Sequence, residues 1–155
     1  IKMKSTAYSS VQNVLTVLDN LFGLCTEKYD IHVNISGGMP IDGPSAGISI
    51  ATAIYSAITR SKVDRFVAMT GEIGILGSVK AIGGVKAKIS AALKAGVKRV
   101  IIPKENYDES LHDIGDIEII PVSYFTDVIR YSLKEDLNTV NREILLAEGN
   151  NNLEN

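Results

Sequence analysis

Apolar residues recur at helical spacing from Thr6 onward, at Ala7, Val11, Val14, Leu15, Leu18, Leu21 and Phe22, and Gly23 ends the run. The spacing predicts an amphipathic helix with a glycine stop. "DIHVNIS" then alternates Ile31, Val33 and Ile35 with His32 and Asn34, the period-two pattern of a half-buried strand that turns both polar side chains to its other face. His32 reads as a solvated strand residue. After the breaker-rich "GGMPIDGP", the run "SAGISIATAIYSAIT" is small and apolar nearly all round, as expected of a helix buried in the middle of a domain.

Shorter elements follow. "RFVAMTGE" reads as a strand ending at Thr70 and Gly71, and "ILGSVKAI" as another beyond a glycine-punctuated turn. "GGVKAKISAALKAG" predicts a helix with Val85, Ile89, Ala92 and Leu93 on its apolar face and Gly96 as its stop. "VKRVIIP" and "DIEIIPV" read as strands, and "SYFTDVIRYSLKE" as a final helix capped by Ser123 or Thr126. Helices and strands mix without strict alternation, so the expected class is α+β, with helices packed on small mixed sheets. One domain over 1–134 is expected, followed by a polar, Asn-rich tail over 135–155 that is expected to be frayed or disordered.

Composition narrows the function classes. The 155 residues suffice for a core without disulfides or metal. A net charge of −2 supplies no basic field for nucleic acid. The single cysteine, Cys25, fits a reducing compartment and excludes a thiolate zinc cluster, and two histidines, His32 and His112, make a histidine-rich metal site unexpected. The first residues lack the apolar core of a secretory signal, and no run is long enough to span a bilayer, so a cytoplasmic domain is expected. The chain opens on Ile1 rather than Met, as expected of a piece of a longer protein.

The candidate chemistry centres on "DGPSAG", residues 42 to 47. Ser45 stands where loop gives way to helix, and it reads either as a helix cap or as a nucleophile in need of a base. "GPSAG" formally matches the G-x-S-x-G elbow of α/β-hydrolases, but an elbow serine follows a strand directly, whereas a Gly/Pro loop separates Ile35 from Ser45. That reading would draw on His112 with Asp108 or Asp113. "GEIGILG" spaces glycines at 71, 74 and 77 without the Lys-Ser/Thr of a phosphate loop, which predicts a tight turn between strands. A base could come from Lys86 or Lys88. A free lysine, with a pKa near ~10.4, is neutral in about one molecule per thousand at physiological pH, so burial would have to lower it by about 3, an adjustment worth ~4 kcal/mol. Both lysines could equally snorkel into water, and the two flank the apolar stripe on opposite sides, so periodicity does not choose between them.

The ordered blocks "DGPSAG", "VAMTGEI", "GSVKAIGGVKAKI" and "AGVKRVIIPKEN" resemble the proteolytic domain of the Lon protease family, over roughly Ser5 to Leu133. The resemblance implies an α+β fold of the Lon proteolytic type, like domain 2 of ribosomal protein S5. It also implies a Ser–Lys dyad that cleaves peptide bonds as a serine endopeptidase. The serine of the "PSAG" block is Ser45, and the family's lysine, the second in the GG-x-K-x-K block, is Lys88. Thr70 matches the threonine that orients the lysine, and Asp42 the aspartate that lies beside the active site and can pair with Lys88 in resting forms. Backbone N–H groups from Gly43 to Ala46 are the expected oxyanion donors. Glu72 is a weaker neighbour, readable equally as a solvated turn carboxylate.

Two departures from the family pattern bear on the substrate side. Ile41 stands where a lysine is usual, and "HVNISGGMP" is one residue shorter than the commoner segment. The family's opening strands are also expected to be missing. Similar proteins carry a AAA+ ATPase module that unfolds substrates and threads them into a hexameric chamber; ATP and magnesium would belong to that module, and these residues themselves are expected to hold no cofactor or metal. The expected partners are unfolded polypeptides, a AAA+ module in the same chain, and five further copies in a homo-hexamer. Two rivals stand beside the dyad: an esterase-like hydrolase using Ser45 with His112, and a non-catalytic domain that helps assemble a ring.

Overall fold

The protein is described here from a computed structural model that covers residues 6–36 and 43–134. The first helix, α1 (Thr6–Phe22), follows the apolar stripe and ends where Gly23 turns left-handed, its N–H donating to the Asp19 carbonyl at 2.9 Å. Val14, Val17 and Leu18 are fully buried on that stripe. They face α2 (Gly47–Thr59), whose Ile48, Ala51 and Thr52 are buried in the same core. Phe22 closes the far end, its ring edge-on to Tyr55 at 4.8 Å and to Phe125 at 6.0 Å.

Three strands, β1 (Val67–Met69), β4 (Arg99–Pro103) and β5 (Glu118–Val122), form a parallel sheet in the order β1-β4-β5. Ala68 pairs in register with Val100, and Val100 with Ile119. Side chains alternate across it. Ile101, Ile120 and Val122 enter the core built by α1, α2 and α4 (Phe125–Ser132), while Val100, Ile102 and Ile119 enter a second cluster with Ile89 and Ala92 of α3 (Val85–Lys94) and Leu111. Burial on both faces accounts for the unbroken apolar run "VIIP".

Between β1 and α3 lies an antiparallel hairpin, β2 (Glu72–Ile73) with β3 (Val79–Lys80). Its turn is the glycine-spaced segment: the Gly74 N–H donates to the Ser78 carbonyl and the Gly77 N–H to the Gly74 carbonyl, each at 2.8 Å. The α+β expectation holds, with strands parallel in one sheet and antiparallel in the other.

Three local expectations are corrected. Neither Ser123 nor Thr126 caps α4. Tyr124 holds the cap position without a side-chain bond, and the first helical N–H, that of Phe125, is satisfied by the Gly77 carbonyl at 2.8 Å. Residues 30–36 are not a strand, since no strand partner lies beside them among the described residues; Ile31 is half-buried and Val33 and Ile35 are exposed. For the same reason α2 is not buried all round. Its Ala53 and Ala57 are exposed, and Ile50 and Ile54 line an open trough of about 730 Å³ whose other wall is residues 29–36. The domain limits at 1–134 and the tail 135–155 fall partly or wholly outside the described residues. Among the described residues no helix is long and apolar enough to cross a membrane.

Candidate active site

Ser45 lies inside a single 3-10 turn, Pro44–Ala46, that runs directly into α2. It is not a cap. Gly43 and Ala46 hold the cap positions of the turn and of α2, and neither start has a side-chain cap bond. The turn is fixed by its backbone. The Ser45 carbonyl accepts from the Gly71 N–H at 2.9 Å, and the Gly71 carbonyl accepts from the Ile48 N–H at 3.2 Å. Gly47 permits this approach, because a Cβ there would stand 3.0 Å from the Ile73 nitrogen and 3.2 Å from its Cγ2.

Thr70 follows β1 directly and is buried. Its N–H donates to the Ile101 carbonyl of β4 at 3.1 Å, which extends the sheet by one bond and fixes where the side chain emerges. The hydroxyl donates to the Ser45 carbonyl at 3.3 Å and accepts from Lys88 Nζ at 3.4 Å. Both distances are at the long end for such bonds. A threonine hydroxyl has one hydrogen, so once this is spent on the Ser45 carbonyl only lone pairs are left to meet the amine. Lys88 is thereby held by an N–H.

The two lysines of α3 differ. Lys86 is exposed, whereas Lys88 is half-buried and reaches the Thr70 hydroxyl across the end of the sheet. Ser45, Thr70 and Lys88 are thus brought together from a turn, a strand end and a helix, with Thr70 as the link. Among the described residues no hydrogen bond joins the Ser45 hydroxyl directly to Lys88. Gly43 and Ala46 flank the serine in the same turn, and because Pro44 has no N–H, the available donors of this stretch are those of Gly43, Ser45 and Ala46. Asp42 lies outside the described residues. Glu72 sits on β2 opposite Lys80.

The other titratable candidates lie elsewhere. His112, exposed on the 3-10 turn Glu109–Ile114, has its Nε2 3.0 Å from the Tyr107 hydroxyl. His32 is exposed on the unpaired segment. Bonds from the Ser110 side chain and N–H hold the Asp108 carboxyl below the usual carboxylate range, and a bond from the Phe66 N–H, with Arg99 2.9 Å away, does the same for Asp64. Sequence reasoning missed two parts of the framework: the backbone of Gly71, and Asn106, whose side-chain amide bonds the backbone of Ile82 ahead of α3. Neither carries a signal of its own in one sequence, because a backbone bond leaves no residue type behind and an asparagine after a strand reads as a turn residue.

Residues 3–135 match the Lon protease (S16) C-terminal proteolytic domain. The chain belongs to this family. It is 54% identical over 129 residues to Lon protease 2 of Bacillus subtilis, an overlap covering 83% of this chain and 23% of that protein. It is 41% identical over 138 residues to the archaeal Lon protease of Archaeoglobus fulgidus, covering 86% and 22% respectively. With the Lon protease of Campylobacter jejuni it shares 48% over 113 residues, 69% of this chain and 14% of that one. The Lon-type domain described here therefore spans under a quarter of the length of these relatives.

Proposed function

We propose that this Lon-type domain is a serine endopeptidase in which Ser45 is the nucleophile and Lys88 the general base. The observation that carries the reading is the hydrogen-bonded chain from Lys88 Nζ through the Thr70 hydroxyl to the Ser45 carbonyl. A neutral Lys88 that donates one N–H to Thr70 keeps its lone pair for the Ser45 proton. As that proton moves to Nζ, the Ser45 oxygen bonds to the scissile carbonyl carbon and the carbonyl oxygen becomes an oxyanion. N–H groups of the Gly43–Ala46 turn, close to the start of α2, are suited to hold that charge.

Collapse of the tetrahedral intermediate breaks the C–N bond, and protonated Lys88 gives its proton to the departing amine. Lys88, neutral again, takes a proton from water as the water oxygen attacks the acyl-enzyme. Release of the carboxylic acid returns the proton to Ser45. The trough beside Ala46 and Ser49, lined by Ile31, Val33 and Ile50, offers apolar side chains of an extended polypeptide a place next to the serine.

On this reading the domain works in a longer protein on unfolded or regulatory polypeptides. A AAA+ module in the same chain, with ATP and magnesium, feeds the substrates, and the whole assembles as a hexamer in the cytoplasm. The test is hydrolysis of an unfolded protein by the purified protein and its Ser45→Ala variant, with circular dichroism to verify folding. Turnover is expected to fall at least about a thousand-fold with the spectrum unchanged, since Ser45 makes no cap bond whose loss would cost stability. Retained turnover would remove Ser45 as the nucleophile.

A further inference from the structure

Lys88 can meet Thr70 only if α3 starts in the right place, and little in the helix itself fixes that start. Gly84 is its cap residue, left-handed at φ 68°, with no side-chain bond to the first turn, and the bond that closes this turn runs from the Lys88 N–H to the Gly84 carbonyl at 3.1 Å. Added Cβ atoms on Gly83 and Gly84 would meet nothing within 4 Å, so packing does not hold these two residues. The apolar face of α3, Ile89 and Ala92, rests on Val100 and Ile102 of β4, which seats the helix on the sheet but supplies no directional bond at its entry.

One side chain supplies the missing register. Asn106 Oδ1 accepts from the Ile82 N–H at 2.8 Å, and Asn106 Nδ2 donates to the Ile82 carbonyl at 2.9 Å. The amide pairs with one residue of the α3 entry as a neighbouring strand would, satisfying both its backbone groups. Asn106 ends the short turn Lys104–Asn106 that follows β4, and β4 also holds Thr70 through the Ile101 carbonyl. The end of one strand therefore sets both partners of the Lys88–Thr70 bond.

We propose that Asn106 is a positioning residue for the catalytic lysine, fixing the entry of α3 so that Lys88 Nζ stays within reach of the Thr70 hydroxyl. The inference rests on the dyad reading above. It follows from the length of that bond: at 3.4 Å the Lys88–Thr70 contact is already at the long end for a hydrogen bond, so a displacement of the α3 entry away from β1 weakens it further.

The test measures kcat and KM for an unfolded polypeptide in Asn106→Ala, Asn106→Asp, Asp108→Ala and Lys88→Arg, each normalised to the folded fraction by circular dichroism. Asn106→Ala is expected to lose about ten-fold or more in kcat, as misplaced catalytic groups do, with KM within about two-fold of the parent. Asn106→Asp keeps an acceptor for the Ile82 N–H but turns an oxygen toward the Ile82 carbonyl. It is expected to retain the fold and show a partial loss, which keeps the test sharp if the alanine variant fails to fold. Asp108→Ala removes the neighbouring bond to the Ser110 N–H and is expected to leave kcat unchanged. Parental kcat in folded Asn106→Ala, or in Asn106→Asp, overturns the proposal, as does an equal loss in Asp108→Ala, which would signal general loosening of the segment. An active Lys88→Arg would instead overturn the dyad reading itself, whereas an inactive one beside normal Asn106 variants removes only the clamp.

Discussion

At the residue scale the account rests on what one hydroxyl can do. Thr70 spends its hydrogen on the Ser45 carbonyl and offers lone pairs to Lys88, so Thr70→Val, which keeps shape and removes both bonds, is expected to lower kcat about ten-fold or more while the protein remains folded. The check is steady-state hydrolysis of an unfolded polypeptide. The lysines make a sharper contrast. Lys88→Arg is expected to be inactive, because a guanidinium cannot be deprotonated near neutral pH, and Lys86→Arg, at an exposed position, is expected to keep most of the parental activity. Equal behaviour of the two arginine variants would end the assignment of Lys88. In the sequence alone, Lys86 and Lys88 were equivalent by helical spacing. Their difference comes from how α3 is set on the sheet, which is tertiary information.

At the element scale, the parallel sheet is tied at its open edge by Asp64, which accepts from the Phe66 N–H at 2.8 Å and bonds Arg99 of β4 at 2.9 Å. These bonds hold its carboxyl below the usual carboxylate range. A folded-state pKa below the unfolded one contributes stability above the unfolded value, and that stability is lost as pH falls through the folded one. Asp64→Asn is therefore expected to lower Tm at pH 7, with the gap to the parent closing below about pH 4. Thermal melts across that range are the measurement, and a gap constant with pH would contradict the account.

Elements were legible in the sequence where their pattern reports their own surroundings. The stripe of α1 and the doubly buried run of β4 are of this kind. The alternation over 31–35 misled, because period two describes two faces and says nothing of a partner strand; with none among the described residues, the segment instead forms one wall of the trough beside α2. The apolar surface of α2 misled in the same way: its composition calls for cover on every side, and the described residues cover only part of it. The G-x-x-G-x-x-G turn was legible as a tight connection because the glycines themselves make the bonds.

At the scale of the whole molecule, two apolar clusters on opposite faces of one small sheet hold three distant pieces of chain at one point: the turn of Ser45, the end of β1, and the second turn of α3. The family was legible because the blocks "DGPSAG", "VAMTGEI" and "GGVKAKI" carry these three pieces in order, and the match over residues 3–135 agrees with that reading. His112, on which the rival depends, has its Nε2 3.0 Å from the Tyr107 hydroxyl, and among the described residues no hydrogen bond links it to Ser45. The central claim is that Ser45 is activated by Lys88, and it is tested most directly by intact-mass and peptide-mapping mass spectrometry after reaction with a serine-directed covalent probe. The account predicts a single adduct on Ser45 that forms in the parent, in Lys86→Arg and in His112→Ala, and fails to form in Lys88→Arg. An adduct that persists in Lys88→Arg but disappears in His112→Ala, or that maps to another serine, would contradict it.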